Sequence, residues 1–277
     1  MTSTRTTQAP LLSEAQVAQL VVNPVMTTSA AGRLLTRLPV AGRSLRIPRV
    51  LEDPNAGWVA EGDEITIDDP TTDEIVVEPR KIAVISTITN ELATDSNPSA
   101  ANVIGAGLVR DISRKLDAAL FAATTTNGPA GLASLTGVQN ATAASMDALP
   151  NAIVGASYAV EAANGTVTNW VCNPSDAARI ANIKRAKDSN EPLLGGSVAE
   201  PTARSLFGTP LIVAAACPAG VMWGIDQRTA WCAIWDDATV EADHSVLFTS
   251  DRTAIRAKLR VGFAFAHPAS IAKITLP

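Results

Sequence analysis

The sequence predicts an α+β fold of roughly two lobes, containing a long helix, an acidic hairpin and a strand-rich C-terminal third. The first observation is length, since 277 residues exceed the ~150 residues typical of one domain. The second is composition, because 47% of the residues are hydrophobic and only 4% are aromatic. These values predict a sizeable core of Ala, Val, Ile and Leu. The third is a reversal of charge near residue 50, just before the strand that leads to the long helix.

Two adjacent segments carry opposite charge. Residues 1–50 contain six arginines and one acid, Glu14, for a net charge of +5. Residues 51–79 contain ten acids and neither Lys nor Arg, for a net charge of −10. Because the whole chain carries −5, residues 80–277 sum to zero. We interpret this pattern as an arginine-rich arm that reaches the acidic loop of a neighbouring subunit, which is typical of a protein that builds an assembly.

The residues predicted to contact a neighbouring subunit are the charged residues of these two segments and one tryptophan. They are Arg33, Arg37, Arg43, Arg46, Arg49, Trp58, Glu61, Asp63, Glu64, Asp68, Asp69, Asp73 and Glu74. A charge run is more usually a solvated face, and that alternative stays open here. A calcium site is a further alternative, although the acids do not have the spacing of an EF-hand.

The N-terminal half is interpreted element by element. Residues 1 to about 43 are rich in Thr, Ala and Arg, have weak periodicity and are interrupted by three prolines, which predicts a mobile arm if nothing pins it. A short strand follows at Arg43–Val50. Ile65–Ile67 and Ile75–Val77 predict a hairpin closed by the polar turn 68–73. Lys81–Thr89 alternates and is rich in β-branched residues, which predicts a further strand.

The long helix is the clearest local signal. Asn97 and Pro98 predict its start, with Asn as the cap and Pro at the first helical position, and the pattern continues to about Ala123. Apolar residues recur at every fourth position, which predicts a buried stripe. They are Ile104, Leu108, Ile112, Leu116 and Leu120. The predicted solvent side carries Arg110, Asp111, Arg114, Lys115 and Asp117.

The C-terminal half predicts mixed elements. Residues 124–144 are interpreted as a loop and 146–163 as a second helix. Trp170–Cys172 predicts a buried strand, and Asn173 and Pro174 open a third helix that continues to Lys187. A polar loop is predicted at 184–196. Further strands are predicted at 205–208, 210–216, 221–225, 230–235, 246–249, 254–265 and 271–276.

Several classes of function are disfavoured. An isoelectric point near 5.1 lacks the basic excess of a nucleic-acid binder. The sequence has no signal-peptide run and no uninterrupted stretch of the about 20 apolar residues that a membrane helix needs. The two histidines, His244 and His267, have no partner at metal-ligand spacing, and no GxSxG or phosphate-binding loop is present. The three cysteines lack a CxxC pair and are interpreted as buried thiols of a reducing cytoplasm. We therefore predict no catalytic, cofactor-binding or metal residue, and no enzyme.

The order of six loose motifs resembles one family. They are Ala56–Gly62 (AGWVAEG), the acidic segment with Pro79–Lys81, Asn90–Ser96 (NELATDS), Leu116–Phe121 (LDAALF), Trp170–Pro174 (WVCNP) with Phe207–Pro210 and Pro218–Gly220, and the C-terminal run from Ile255 to Ala269. Together they cover about residues 40–277. In this order they resemble the major capsid proteins of tailed bacteriophages, which have the Hong Kong 97-type fold.

The resemblance implies a division of the chain. Residues 1–43 would be the N-terminal arm, and 44–80 the extended loop that lies across a neighbouring subunit. Residues 81–144 and 240–277 would form the peripheral domain with its spine helix at about 98–123. Residues 145–239 would form the axial domain, whose loops meet at the centres of hexamers and pentamers.

The resemblance also implies function and partners. The chain would self-assemble into the icosahedral shell that encloses the double-stranded DNA of a tailed phage, made in the bacterial host cytoplasm and located in the virion capsid. Its partners would be copies of itself, a portal protein, a separate scaffolding protein and a decoration or minor capsid protein, with weak non-specific contact to packaged DNA and none to a membrane. The alternative is an encapsulin, a bacterial protein shell of the same fold.

Overall fold

The secondary structure is described for residues 23–52, 54, 56–60, 62, 64, 69, 71–91, 100–184, 204–235, 239–243 and 247–277 of a computed structural model. The helices α1 to α5 are Asn23–Thr28, Ala30–Leu34, Ala100–Phe121, Leu149–Ala162 and Pro174–Ala181. Strands β1 to β5 are Thr36–Val40, Leu45–Glu52, Thr71–Val77, Arg80–Thr89 and Gln139–Thr142. Strands β6 to β13 are Asn169–Cys172, Ser205–Leu206, Thr209–Val213, Val221–Ile225, Ala230–Trp235, Thr239–Asp243, Arg252–Phe265 and Ala272–Thr275. Short 3-10 turns lie at Leu132–Ser134, Met146–Ala148, Phe248–Ser250 and Pro268–Ser270.

The first sheet is organised around the long strand β12. Within the described residues it has five strands in the order β1-β10-β12-β11, with β4 also paired to β12. Strand β4 is antiparallel to β12 over ten positions, from Arg252 opposite Thr89 to Val261 opposite Arg80. Strands β10 and β11 follow one another along the other edge of β12. The alternation predicted for Lys81–Thr89 is therefore confirmed as a strand.

The second sheet lies between two hydrophobic clusters. Its described strands run in the order β5-β13-β9-β6-β8-β7. Because successive side chains of a strand point to opposite faces, Val171 packs with α1, α2 and α3, whereas Trp170 packs with α4 and α5. The strand predicted at Trp170–Cys172 is confirmed, and all four residues of β6 are buried. This sheet is consequently covered on both faces.

The long helix has the predicted buried stripe. Leu108, Ile112, Leu116 and Leu120 are buried against the first cluster, while the predicted start at Asn97 and Pro98 and the side chain of Ile104 lie outside the described residues. One assignment was wrong, because Asp117 is not on the solvent side. Its carboxylate is partly buried and accepts hydrogen bonds from the backbone of α2.

Residues 23–40 belong to the core and not to a mobile arm. Val25 and Leu34 are fully buried, Leu35 is 1% exposed, and all three pack in the first cluster. Strand β1 runs parallel to β10 as an edge of the first sheet. The sequence interpretation was wrong for these residues because two helices of six and five residues are too short to establish a periodic pattern. Residues 1–22 lie outside the described part of the chain.

The helices of the second half are close to their predicted bounds. The helix predicted at 146–163 begins with a 3-10 turn and continues as α4, with Leu149, Ile153 and Val160 buried as expected. Helix α5 begins as predicted, since the Asn173 side chain accepts a hydrogen bond of 3.0 Å from the Ser175 N–H. It ends at Ala181 instead of Lys187.

One predicted strand is wrong, two strands were not predicted, and one prediction lies outside the described residues. Ile75–Val77 lies in β3, which pairs with β2, whereas its predicted partner Ile65–Ile67 is outside the described residues. The segment 246–249 was predicted as a strand, but Phe248–Ser250 is a 3-10 turn. The strand β11 was not predicted, nor was β5 within the supposed loop 124–144. Strand β11 pairs with the next strand, β12, whereas β5 pairs with β13 near the C-terminal end of the chain, which no local pattern reports.

Each of the two predicted domains contributes strands to both sheets. Strand β10, predicted as axial, lies in the first sheet beside β12, and β13 and β5, predicted as peripheral, lie in the second sheet beside β9. After β9 the chain crosses to the first sheet at residues 226–229, which we call the first crossover. After β12 it returns to the second sheet at residues 266–271, which we call the second crossover. The assignment of the sheets to peripheral and axial domains stays a prediction.

Candidate subunit-contact surfaces

The β2–β3 ribbon carries the charged residues on which the assembly hypothesis rests. Its register places Arg49 opposite Asp73, and Arg46 diagonally across from Glu74, two positions along the facing strand. The Arg49 guanidinium donates to the Asp73 carboxylate at 2.6 Å, and Arg46 donates to Glu74 at 3.2 Å. The hydrogen bond from Arg49 holds the pKa of Asp73 below its ordinary value. Arginine and acid therefore pair across one chain's own ribbon at these two positions.

The other predicted contact residues are dispersed over the surface. Arg33, Arg37 and Arg43 are exposed, and Arg37 donates to the Asn23 side chain at 2.8 Å. Glu64 and Asp69 are exposed in the segment between β2 and β3. The structure does not describe Glu61, Asp63 or Asp68. For all of these residues, contact with a second subunit stays a prediction.

Trp58 is the most exposed large apolar side chain of the described residues. Its relative exposure is 106%, and that of the adjacent Val59 is 43%. The two residues follow β2 beyond the far end of the ribbon, where Glu52 pairs with Thr71. Because a tryptophan buries 150–250 Å² when covered, leaving it in water forgoes more hydrophobic free energy than leaving any other side chain there. The ribbon thus ends near an uncovered apolar side chain.

An open pocket of about 460 Å³ lies at the opposite end of the ribbon. The base of β3 and the chain after it form one wall, and the turn that follows α3 forms the other. The lining residues are Val76, Val77, Glu78, Arg80, Thr124, Thr125, Gly128, Pro129, Ala130 and Phe263. Arg80 and Glu78 form an ion pair of 3.2 Å within this lining. The sequence interpretation did not identify this pocket, because its lining comes from three separate segments. Residues 76–80 and 124–130 are about 50 residues apart in the chain, and Phe263 follows more than 130 residues later.

A buried carboxylate holds the first crossover between the sheets. The Asp226 side chain is 1% exposed and accepts hydrogen bonds from the Thr166 N–H at 3.0 Å and the Arg228 N–H at 3.0 Å. The Arg228 guanidinium donates two more, at 3.1 and 2.9 Å. Burial raises the pKa of Asp226, but these hydrogen bonds outweigh it and hold the pKa below its ordinary value. The crossover is consequently closed around an ionised carboxylate.

The second crossover is attached to the first. The Thr229 and Ser270 hydroxyls lie 2.7 Å apart, and the Ala266 N–H donates to the Thr229 carbonyl at 2.9 Å. The His267 Nε2 atom lies 2.9 Å from the carbonyl oxygen of Ala163, at the end of α4. His267 therefore joins the second crossover to the end of α4.

The cysteines and acidic residues of the described part of the chain do not form a reactive or metal-binding cluster. Cys172, Cys217 and Cys232 are free and buried, and burial raises the pKa of each to about 12, which makes them poor nucleophiles. In the described part of the chain no three His, Cys, Asp or Glu side chains gather as a metal ion would require. Of the helices described, none has the length and apolar character to cross a membrane. The surface features that stand out are those suited to protein contacts.

Comparison with known proteins gives one consistent result. A model of the phage capsid family matches residues 11–276. A structure of Microbacterium phage Oxtober96 has a TM-score of 0.75 at 19% identity, covering 90% of this chain and 91% of that one. The capsid of an empty GTA particle has a TM-score of 0.74 at 18% identity, and a structure of Mycobacterium phage Bobi has 0.72 at 18%, each covering 90% of both chains. A search of curated proteins finds no significant match.

The fold and the family match together define a class of protein, the structural subunit of a viral shell with the Hong Kong 97-type capsid fold. The chain belongs to the phage capsid family and is a phage major capsid protein, which assembles with copies of itself in the virion capsid. The encapsulin alternative gains no support from the comparisons.

Proposed function

We propose that this chain forms the hexamers and pentamers of an icosahedral shell that encloses the double-stranded DNA of a tailed phage. The observation that carries the proposal is the match of the phage capsid family over residues 11–276. The exposed ribbon with Trp58 near its far end and a pocket at its base supports it, because each subunit then offers two different contact surfaces. Such heterologous contacts close into rings, as a hexamer or pentamer requires.

The proposed partners follow from the same role. A portal protein occupies one vertex, a separate scaffolding protein guides assembly in the bacterial host cytoplasm, and a decoration or minor capsid protein binds the finished shell. The net charge of −5 supports weak contact with packaged DNA, because a chain with a net negative charge gains little overall attraction to phosphate. The extended loop crosses a neighbouring subunit, and Arg33, Arg37 and Arg43, which are exposed, contact acids of that neighbour.

The test is cryo-electron microscopy of the full chain, expressed alone and with the phage proteins encoded beside it. Icosahedral shells built from hexamers and pentamers, with DNA inside when the virion is imaged, are the expected result. Small shells that contain an enzyme and have no portal vertex would favour the encapsulin alternative. A dispersed monomer under every condition, including the presence of the scaffold, would contradict the proposal.

A further inference from the structure

Trp58 and the pocket at the ribbon base are complementary surfaces at the two ends of one ribbon. Trp58 is fully exposed in its own subunit, and the pocket of about 460 Å³ is open. That volume lies within the ~300–1,000 Å³ of pockets that hold small ligands. We propose that Trp58 of one subunit binds in the ribbon-base pocket of a second copy of this chain. This inference rests on the proposed function and adds to it the two surfaces that meet.

Trp58 does not occupy the pocket of its own subunit, because its side chain is fully exposed there. The base of the ribbon lies where Leu45 pairs with Val77, and its far end lies where Glu52 pairs with Thr71. Six residues of strand separate Thr71 from Val77, which is about 20 Å at ~3.4 Å per residue. Trp58 follows the far end, whereas Val77 lines the pocket. The open pocket of one subunit is therefore available to Trp58 of a second copy.

The pocket has the chemistry that an indole ring needs. Val76, 53% exposed, and the buried Phe263 and Pro129 give it apolar walls. The Arg80 guanidinium lies in the lining, and a guanidinium over the face of a tryptophan is attracted by the ring. The Glu78 carboxylate, paired to Arg80 at 3.2 Å, can accept a hydrogen bond from the indole N–H, which usually has an acceptor when a tryptophan is buried. The pocket thus provides apolar area, a cation and an acceptor together.

The contact has a consequence for assembly. Because the two surfaces differ, each subunit uses its Trp58 on one neighbour and offers its pocket to another. A head-to-tail contact of this kind continues from copy to copy until it closes as a ring. Aromatic side chains in desolvated pockets are typical of the few residues that carry most of an interface's binding free energy. Trp58 is accordingly expected to matter more for assembly than the exposed charges around it.

The direct test is crosslinking between two kinds of subunit. Trp58→Cys and Ala130→Cys subunits are assembled together and treated with a short bismaleimide, because an indole-sized gap is wider than a disulfide spans. The native cysteines are buried with the pKa of each at about 12, so that the introduced thiols react selectively. We expect covalent dimers in the mixture and none in particles built from either variant alone. Their absence from the mixture, or dimers that form instead between Phe207→Cys and Ala130→Cys subunits, would overturn the inference.

A second measurement uses the concentration at which shells form. We expect Trp58→Ala, and Ala130→Trp, which fills the pocket from within, each to raise that concentration about 10-fold or more. The circular dichroism of the subunit should be unchanged. Tyr158→Ala is the matched control, since Tyr158 is an exposed aromatic residue on α4. Shells of both variants at wild-type concentrations would overturn the inference and leave the proposed function intact. A wild-type chain that forms no shells would overturn both.

Discussion

The carboxylate of Asp117 accepts a hydrogen bond of 2.9 Å from the backbone N–H of Ala31, 86 residues earlier in the chain. The Ala30 N–H donates to the other carboxylate oxygen at 3.0 Å. Both N–H groups belong to the first turn of α2, where no partner exists within the helix. Burial raises the pKa of Asp117 above its ordinary value, and the donors of Ala31 and Ala30 and the charge of Arg33 only partly offset this. The long helix thereby anchors the N-terminal helices.

Replacing Asp117 tests this anchor. Because Asp117→Ala leaves the N–H groups of Ala30 and Ala31 buried without an acceptor, we expect the free energy of unfolding to fall by about 1–3 kcal/mol. Asp117→Asn keeps one acceptor oxygen, so its free energy of unfolding should lie between those of wild type and Asp117→Ala. Urea denaturation measures the change, and Asp111→Ala, at an exposed position of the same helix, is the control. A loss of less than about 0.5 kcal/mol for Asp117→Ala, the size expected of an ordinary surface change, would contradict the anchor.

Two glycine substitutions should have opposite effects. A Cβ atom on Gly224, in β9, would lie 2.6 Å from the ring of Trp170, and overpacking of this kind costs about 1–3 kcal/mol. Gly155, in α4, has open space around its Cα atom, and alanine there should stabilise the helix by about 0.5–1 kcal/mol. Thermal unfolding of Gly224→Ala and Gly155→Ala measures both. If Gly224→Ala stabilised the protein as much as Gly155→Ala does, the packing between β9 and β6 would be looser than described.

Acid should weaken the first sheet through Glu241. Its carboxylate pairs across β11 and β12 with Arg256, and with Lys258 at 3.1 Å, and the hydrogen bonds from Arg256 and Lys258 lower the pKa of Glu241 from 4.5 to about 2. A lowered pKa in the folded state means that this stabilisation is complete above pH 4.5 and is lost as the pH falls from 4.5 towards 2. Because the side chain is 36% exposed, solvent screening limits the contribution to about 1 kcal/mol or less.

The measurement is the free energy of unfolding between pH 2 and pH 7 for wild type and Glu241→Gln. We expect the variant to be less stable at neutral pH and to lose less stability over the acid range. Glu161→Gln, which changes an exposed glutamate of α4, should keep the wild-type dependence on pH. If Glu241→Gln also kept the wild-type dependence of stability on pH, the stabilising role of the cross-strand pairs would be refuted.

Charge reversal tests the arginines that are not engaged in the ribbon. Arg33, Arg37 and Arg43 are exposed, so we expect the triple change to Glu to leave the subunit folded and to block shell formation by repelling the neighbour's acids. Light scattering and electron microscopy measure assembly, and circular dichroism measures folding. The control reverses Arg110, Arg114 and Lys115, exposed on α3, with the same change in net charge. Normal shells from the first variant, or equal loss in both, would contradict a specific role.

Local sequence patterns correctly predicted the buried stripe of α3 and the start of α5. The stripe at Leu108, Ile112, Leu116 and Leu120 predicted the burial of α3 because helical periodicity is a property of one segment. The Asn173 cap, followed by proline, likewise predicted the start of α5. The end of α5 at Ala181 and the 3-10 turn at Phe248–Ser250 were not predicted, because packing against other segments decides between conformations of similar propensity.

The candidate contact surfaces were predicted only in part. The charge reversal and the exposed Trp58 are visible in the sequence, and Arg46 and Arg49 do contact acids. Their partners Glu74 and Asp73 are in the same chain, however, because the strand that carries these arginines is the neighbour of β3. No sequence pattern indicated that Arg80 and Phe263 line a pocket, because the pocket forms only when separate segments of the chain pack together.

By itself the sequence determined the α+β class, the burial of the long helix, the acidic character of the ribbon and the likeness to phage capsid proteins. All of these follow from composition, periodicity and the order of short motifs. Only the tertiary structure decided that β1 pairs with β10, that Asp117 anchors α2, that the sheets exchange strands at residues 226–229 and 266–271, and that a pocket lies at the ribbon base. The physical reason is that each of these joins residues far apart in the chain, and their free energy arises only when the chain has folded.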